Sequence, residues 1–282
     1  MTPFYRPRTL AEALRIAAKG GVTPAAGCTD LFPATRAQAL AGPVLDLTAI
    51  AELRGIAETA EGWRIGACTR WSELLRAPLP EAFDGLKAAA REVGSVQIQN
   101  AGTVGGNLCN ASPAADGVPC LLTLDAEVEL ASAQGRRRLP LAEFVTGVRR
   151  TALAPGELLV AVHVPFEAAG RGGFLKLGAR RYLVISIAMV AARLEVEAGT
   201  VTQAALAVGA CGPVAVRLPG QEAALLGQPA ARAAAAVRVD LIAPALSPID
   251  DVRGDAGYRR DSAVELVRRA VAELVQGREA AA

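Results

Sequence analysis

The first half of the chain alternates helical and extended patterns of apolar residues. Apolar positions recur every three to four residues in LAEALRIAAK, where Thr9 and Glu12 form the T-x-x-E capping box of a helix start. Short apolar runs predict strands at PVLDLTAI, GWRIGACT and ELLVAVHV, and a strand pair at AEVELAS and RRRLPL, while the short apolar segment VTPAA enters the loop GCTD. Residues 70–93 predict helix interrupted by two prolines. This alternation is typical of an α/β domain.

The pattern changes near Pro165, where the glycine-rich segment FEAAGRGG predicts a domain boundary. Beyond it, FLKLGA, SIAMVAARLEV and TVTQAALAVGA predict three consecutive strands of an antiparallel meander. Alanine- and arginine-rich helical patterns follow, and Ser262 with Glu265 predicts the start of the final helix. We therefore expect an α/β domain over residues 1–165 and an α+β domain over residues 168–282.

Composition narrows the class of protein. The 282 residues are 52% hydrophobic and 21% charged, which is enough apolar material for a sizeable core. The net charge of +2 is too balanced to indicate nucleic-acid binding. No apolar run approaches the roughly 20 residues of a membrane span, and the N-terminus lacks a secretory pattern, so we expect a cytoplasmic protein.

Cysteine and histidine give little support to metal or nucleophilic chemistry. The five cysteines are scattered without zinc or iron–sulfur spacing, and we expect them to be reduced and structural. His163 is the only histidine and lies in the predicted strand LLVAVHVP. A structural histidine is favoured over a catalytic one, so no catalytic residue and no metal site is predicted.

Two glycine-containing loops are the strongest candidates for ligand binding. Glycine lets the backbone approach a ligand closely, and consecutive N–H groups in such turns bind anions. Neither loop has the spacing of a Rossmann or Walker motif, and two loops far apart in sequence suit a diphosphate held from two sides. Ordinary turns are the alternative interpretation. We expect Gly105→Asp to abolish ligand retention by placing charge at the phosphates. The first loop comprises Pro24, Ala25, Ala26, Gly27, Cys28, Thr29, Asp30 and Leu31, and the second Thr103, Val104, Gly105, Gly106 and Asn107.

Two further residues are candidates for contacts away from the phosphates. A phosphate would repel Asp116, so this residue is expected to contact a ribityl or ribose hydroxyl or a neutral ring edge. Lys176 lies among apolar residues of a predicted strand, where a solvated strand lysine is the alternative.

Four segments, taken in order, resemble one known family. AAGCTDL, QIQNAGTVGGNLCNASPAADGVPCLLTLDA, FLKLGARRYLVISIAMVA and DVRGDAGYRRD are similar to the FAD-binding medium subunit of the xanthine dehydrogenase and carbon monoxide dehydrogenase family of molybdenum hydroxylases. The resemblance spans residues 3 to about 275, and TVGGN-x-x-NASPAAD is its most specific part. It implies a vanillyl-alcohol-oxidase-like (PCMH-type) FAD domain with α/β subdomains at about 1–53 and 54–165. It also implies a C-terminal three-stranded antiparallel sheet with a helix bundle.

The resemblance also implies roles for individual residues. Residues 24–31 and 103–107 match the family's two pyrophosphate loops, although the family often has glycine where Ala26 and Cys28 stand. No histidine is placed for a covalent link, so FAD is expected to be held non-covalently. The remaining matches are Asp116 as a flavin-contacting acid, Leu159 near the adenine or flavin, Lys176 near the pyrimidine side of the ring, and Tyr182 or Phe174 against a ring face.

Finally, the resemblance implies an assembly. A molybdopterin-binding large subunit and a small subunit with two [2Fe–2S] clusters are the expected partners, as a dimer of heterotrimers. FAD on this chain is then expected to pass electrons to NAD, a quinone, oxygen or another acceptor. A self-contained FAD-dependent oxidase or reductase and a non-catalytic nucleotide-binding assembly protein are the alternatives.

Overall fold

The computed structural model describes residues 3–35 and 40–279. These residues form two units, each built from separate stretches of the chain. Unit 1 contains the described residues of Met1–Ala77 with Ser95–Ala111 and Ala126–Pro165, and unit 2 contains Pro78–Gly94, Ser112–Asp125 and the described residues of Phe166–Ala282. The helices are α1 (Leu10–Ala17), α2 (Leu31–Ala34), α3 (Trp71–Arg76), α4 (Asp84–Glu92), α5 (Val96–Ala101), α6 (Val104–Asn110), α7 (Gly117–Thr123), α8 (Leu141–Phe144), α9 (Pro219–Leu225), α10 (Ala230–Ala233), α11 (Val239–Ile242) and α12 (Ala256–Glu279). The strands are β1 (Phe4–Tyr5), β2 (Thr23–Ala25), β3 (Val44–Asp46), β4 (Ile56–Thr59), β5 (Gly62–Gly66), β6 (Glu127–Ser132), β7 (Gly135–Pro140), β8 (Val145–Gly147), β9 (Arg150–Thr151), β10 (Leu158–Pro165), β11 (Arg171–Leu177), β12 (Ala188–Glu197), β13 (Thr200–Gly209) and β14 (Val216–Arg217).

Unit 1 begins with a small parallel sheet of order β1-β3-β2. The predicted cap of α1 is present, since Thr9 Oγ1 accepts a hydrogen bond from the Glu12 N–H at 3.3 Å. Leu14 on the apolar stripe of α1 joins a core with Leu45 of β3 and Val160 of β10. Helix α1 is thereby fixed against β3 and β10, and residues 26–31 follow directly after β2.

An antiparallel sheet of order β4-β5-β10-β6-β7 completes the framework of unit 1. Ile65, Val128 and Val162 are buried side by side on one face, because alternate residues of a strand point to the same side. The other face is charged and is centred on Glu129, which is only 7% exposed.

Unit 2 is built on an antiparallel sheet of order β11-β12-β13-β14. Val190, Leu194 and Val208 bury one face of this sheet against Val267 and Val271 of α12. Helices α4 and α7 pack against strands of the same sheet. The three predicted strands are β11, β12 and β13, and the short β14 extends the sheet beyond them.

The final helix starts earlier than the sequence pattern indicated. Helix α12 begins at Ala256, so Ser262 and Glu265 lie inside it rather than at its start. Asp255 accepts a hydrogen bond from the Tyr258 N–H at 2.7 Å, while Glu265 pairs with Arg268 and Arg269. Crossing a membrane would take a long apolar helix, and the described residues contain none.

Candidate functional site

Residues 26–31 form a bend whose backbone N–H groups have no acceptor among the described residues. Pro24 and Ala25 belong to β2, Asp30 precedes α2, and Leu31 is the first residue of that helix. Within the described part of the chain, none of the backbone N–H groups from Ala26 to Leu31 donates a hydrogen bond. Cys28 adopts a left-handed conformation with φ 56°. A run of free N–H groups around one left-handed residue is a geometry that binds anions.

This bend is held directly against the segment that precedes α6. A Cβ added to Gly27 would lie 2.1 Å from the Ala101 carbonyl oxygen and 2.8 Å from Gly102 Cα. A Cβ on Gly102 would lie 3.4 Å from Thr29 Oγ1. Residues 26–31 therefore meet Ala101 and Gly102, just before α6 in unit 1, and only glycine allows the approach at position 27.

Residues 103–107 are not a loop, contrary to the sequence interpretation. Thr103 is the N-cap of α6, and Val104 to Asn107 form the first turn of the helix. The Val104 N–H donates to the Thr69 carbonyl at 2.9 Å, and the Gly105 N–H donates to the Ala67 carbonyl at 2.8 Å. The Gly106 N–H donates to Thr103 Oγ1 at 3.0 Å. The first N–H groups of this helix are thus already satisfied inside the protein.

The reason for a glycine at position 105 also differs from the expected one. A Cβ there would lie 2.7 Å from both the Cβ and the carbonyl oxygen of Ala67. Gly105 is buried, and α6 packs against β10, whose Val160 carbonyl accepts from the Ala67 N–H at 2.9 Å. Gly105→Asp would therefore disrupt packing, and its effect would not report on phosphate binding alone.

Asn107 contributes an unsatisfied acceptor in the first turn of α6. Its Oδ1 is buried and has no hydrogen-bond partner among the described residues. Buried polar atoms nearly always have a partner, so an orphaned one indicates a missing ligand or water. An acceptor at this place suits a ligand hydroxyl rather than a phosphate oxygen.

Leu159 is the apolar candidate residue of β10. It is 5% exposed and lies beside the strand irregularity at residues 159–161.

Unit 2 brings together two predicted site residues and one that the sequence did not indicate. Lys176 Nζ donates to Asp116 Oδ2 at 2.6 Å, and Ser186 Oγ donates to Asp116 Oδ1 at 2.7 Å. The Asp116 and Lys176 side chains are each 8% exposed, and Ser186 is 2% exposed. Asp116 lies immediately before α7, whereas Lys176 comes from β11. The solvated-lysine alternative is wrong.

Opposing effects set the charge state of this carboxylate. Burial raises the pKa of Asp116, whereas Lys176 and the Ser186 hydroxyl lower it, and the carboxylate of Glu92 raises it again. Removing a partner of a buried ion pair leaves an uncompensated charge. Both hydrogen bonds therefore favour the ionised form of Asp116 against the effect of burial.

The two aromatic candidates of unit 2 lie in different surroundings. Tyr182 is 61% exposed, with the Arg181 guanidinium carbon 5.4 Å from its ring centroid. Phe174 is only 9% exposed in β11. Of the two, Tyr182 has the ring surface that could contact a ligand.

His163, Cys68 and Cys211 have structural surroundings. His163 Nε2 lies 2.8 Å from Glu129 Oε2, and Arg136 donates to Glu129 Oε1 at 2.6 Å. Although burial raises the pKa of Glu129, the hydrogen bonds from His163 and Arg136 outweigh it and lower that pKa below its usual value. Burial raises the pKa of the Cys68 thiol to about 12 and that of Cys211 to about 11, which keeps both thiols protonated.

Comparison with known proteins identifies the family. Residues 1–167 match the family described as the FAD binding domain in molybdopterin dehydrogenase. The chain belongs to the FAD-binding subunits of molybdenum hydroxylases. Residues 174–274 match the CO dehydrogenase flavoprotein C-terminal domain. The matches to the two parts of the chain therefore indicate the same family. The family resemblance, the fold class, FAD as cofactor and the role as an oxidoreductase subunit are thereby confirmed.

Individual relatives cover most of this chain. It is 29% identical over 273 residues to the carbon monoxide dehydrogenase medium chain of Hydrogenophaga pseudoflava, covering 95% of each protein. It is 34% identical to a putative xanthine dehydrogenase FAD-binding subunit of Escherichia coli, covering 76% of this chain and 75% of that one. The structure of reconstituted CO dehydrogenase from Oligotropha carboxidovorans superposes with a TM-score of 0.90 at 27% identity, covering 98% of each chain.

Proposed function

We propose that this chain holds FAD non-covalently, with the diphosphate against residues 26–31. The observation that supports this most strongly is the run of unpartnered N–H groups there, pressed against Ala101 and Gly102 in unit 1. Backbone N–H groups arranged in this way bind phosphate without a lysine or a metal. Thr29 adds a hydroxyl beside the same donors.

We assign residues 103–107 a different part in binding. The N–H groups of residues 104–106 donate to acceptors within the protein. This turn therefore lines the cofactor site without donating backbone hydrogen bonds to the phosphates. The orphaned Asn107 Oδ1 would accept from a ribityl or ribose hydroxyl. Leu159 supplies apolar contact for the adenine or the flavin.

In unit 2, Asp116, Lys176 and Tyr182 are the proposed flavin-site residues. A carboxylate held by Lys176 can accept from a ligand hydroxyl or a ring N–H without carrying an uncompensated charge. Tyr182 is exposed enough to cover a ring face. His163 is held by Glu129 in the sheet of unit 1, which supports a non-covalent flavin. The proposed domain division remains residues 1–165 and 168–282.

When bound, FAD would exchange electrons between one-electron and two-electron partners. We propose that the electrons come from [2Fe–2S] clusters of a small partner subunit, fed by a molybdopterin-binding large subunit. They would leave to NAD, a quinone, oxygen or another acceptor. The residues of this chain bind and orient the cofactor, and no proton transfer is required of them.

The proposed assembly is a cytoplasmic dimer of heterotrimers. Relatives named medium chain or FAD subunit support a multi-subunit complex. Large apolar side chains on the surface of unit 2 agree with partner contacts, since Ile249 is 67% exposed and Val252 is fully exposed.

Two measurements test this proposal. The purified chain should show an oxidised-flavin absorbance spectrum and release FAD on denaturation, and release of FMN alone would refute the diphosphate site. Affinity purification from its own organism should recover a large and a small subunit. Substrate turnover by the isolated chain would instead favour a self-contained oxidase, and a folded chain that binds no flavin would favour the assembly protein.

A further inference from the structure

Ser186 completes the hydrogen bonding of a carboxylate that is almost entirely buried. Asp116 Oδ2 is 2.6 Å from Lys176 Nζ, and Asp116 Oδ1 is 2.7 Å from Ser186 Oγ. Each carboxylate oxygen thus has its own charged or hydroxyl donor. Removing one such donor leaves a buried charge without a hydrogen bond. The cost in free energy is larger than for losing an exposed hydrogen bond.

The backbone around Ser186 is fixed so that its hydroxyl stays on this carboxylate. The Ile187 N–H donates to the Leu177 carbonyl of β11 at 2.7 Å. The Ile187 carbonyl accepts from the buried Arg259 guanidinium, also at 2.7 Å. Ser186 is therefore held in place from β11 and from α12, although the preceding residues Tyr182, Leu183 and Ile185 are exposed.

We propose that Ser186 is a positioning residue of the FAD site, whose hydroxyl keeps Asp116 ionised and oriented for the cofactor. This inference rests on the proposed function, which assigns Asp116 and Lys176 to flavin binding. Ser186 itself need not touch FAD, because it acts through Asp116.

The surroundings of Asp116 explain why this hydroxyl matters. Among the described residues, the titratable side chains that interact electrostatically with Asp116 are Lys176 from β11, Glu92 from α4 and the Cys120 thiol from α7. Only Lys176 among these favours the negative charge, and burial opposes it. Without the Ser186 hydroxyl, Asp116 is expected to take up a proton at a higher pH than in the native chain. The charge of the Asp116–Lys176 pair then changes with pH.

The test is the dissociation constant of FAD from the full chain, measured between pH 6 and pH 8. For the native chain we expect little change over this range. For Ser186→Ala we expect about tenfold weaker binding at pH 7, corresponding to about 1.4 kcal/mol, because one hydrogen bond to a charged group is lost. Binding should weaken further as the pH falls, since Asp116 then becomes protonated. Ser186→Thr, which keeps the hydroxyl, should restore a flat profile.

Thr123→Val is the matched control. Its hydroxyl is also buried in unit 2, but it donates to the Cys120 carbonyl at 2.9 Å and not to Asp116. It should lower stability without changing the pH profile of FAD binding. If Ser186→Ala and Thr123→Val lost FAD affinity equally, the positioning role would be overturned. Equal losses would mean that both substitutions act by disturbing the packing of unit 2.

Other outcomes separate this inference from the proposed function. If the native chain binds FAD and folded Ser186→Ala binds it equally well at every pH, Ser186 has no positioning role. If the native chain binds no FAD, the proposed function fails and this inference fails with it. Should Ser186→Ala not fold, Ser186→Cys provides a weaker donor of similar size, and an unchanged pH profile in that variant would again overturn the proposal.

Discussion

Two glycine-containing segments of unit 1 have similar composition but opposite hydrogen-bonding states. Residues 26–31 leave their backbone N–H groups without protein partners among the described residues. In residues 103–107, the N–H groups of Val104, Gly105 and Gly106 are all satisfied internally. The glycines differ as well, since Gly27 permits close contact with Ala101 and Gly102, and Gly105 permits contact between α6 and Ala67.

The difference shows that glycine content alone does not identify a phosphate-binding backbone. What matters is whether another part of the protein already accepts from the N–H groups. Ala67 and Thr69 follow β5, and their carbonyls accept hydrogen bonds from the first N–H groups of α6. No comparable acceptor faces residues 26–31 in the described structure, so those donors remain for a ligand.

The largest effect is expected from Gly27→Ala. The new Cβ would overlap the Ala101 carbonyl, so the bend must move, at a cost of about 2 kcal/mol or more. FAD retention during purification should be lost, because the free N–H groups move with the bend. Thermal unfolding and the ratio of flavin to protein absorbance measure the two effects.

Gly147→Ala is the control for adding a Cβ in unit 1. Its nearest neighbours would be ordinary contacts with Arg150, the closest at 3.8 Å. This variant should keep its FAD and nearly native stability. Full FAD retention by Gly27→Ala would contradict the importance of the contact of residues 26–31 with Ala101 and Gly102.

An intermediate effect is expected from Asn107→Leu, with opposite signs for binding and stability. The protein loses no hydrogen bond at Oδ1, so stability should be unchanged or slightly higher. FAD should bind about tenfold more weakly, because one hydroxyl of the cofactor loses its acceptor. Urea unfolding and FAD titration measure the two quantities.

Asn110→Leu, in the same helix, should show the reverse. Asn110 Oδ1 accepts a hydrogen bond from Arg149, so this variant should lose stability by about 1 kcal/mol and keep its FAD affinity. If Asn107→Leu behaved like this control, Asn107 would have no role in binding FAD.

The smallest effect is expected from Cys28→Gly. Cys28 has φ 56°, a conformation that costs a side-chain-bearing residue about 1 kcal/mol relative to glycine. The variant should be more stable by about 0.5–1 kcal/mol in urea unfolding and should bind FAD at least as tightly. Ala198→Gly, in the exposed turn after β12 with φ 47°, should gain similar stability without any effect on FAD. Weaker FAD binding by Cys28→Gly would indicate that the thiol itself contributes.

Elements with clear apolar periodicity were predictable, whereas several short helices were not. The strands β6, β10, β12 and β13 follow clear alternating or continuous apolar runs. Helices α5, α6 and α7 lie in a segment rich in glycine, asparagine and proline, and propensity argues against helix there. Tertiary hydrogen bonds such as that from Gly105 to Ala67 stabilise α6 instead.

The candidate site was predictable in its parts but not in its bonding. The family motif indicated residues 24–31, 103–107, Asp116 and Lys176. The structure packs Gly27 against Ala101 and Gly102, immediately before residues 103–107, and joins Asp116 to Lys176 in unit 2. No pattern indicated Ser186, because its role depends on a contact across 70 residues of sequence. The internal use of the α6 N–H groups depends on similarly distant contacts.

The most direct test is hydrogen exchange of individual backbone amides, followed by NMR with and without FAD. The amides of residues 26–31 should exchange rapidly without cofactor and gain at least about tenfold protection when FAD binds. The amides of Val104 and Gly105 should be protected in both states, because their hydrogen bonds are internal. Unchanged exchange at residues 26–31, with new protection confined to residues 104–107, would contradict the proposed diphosphate site.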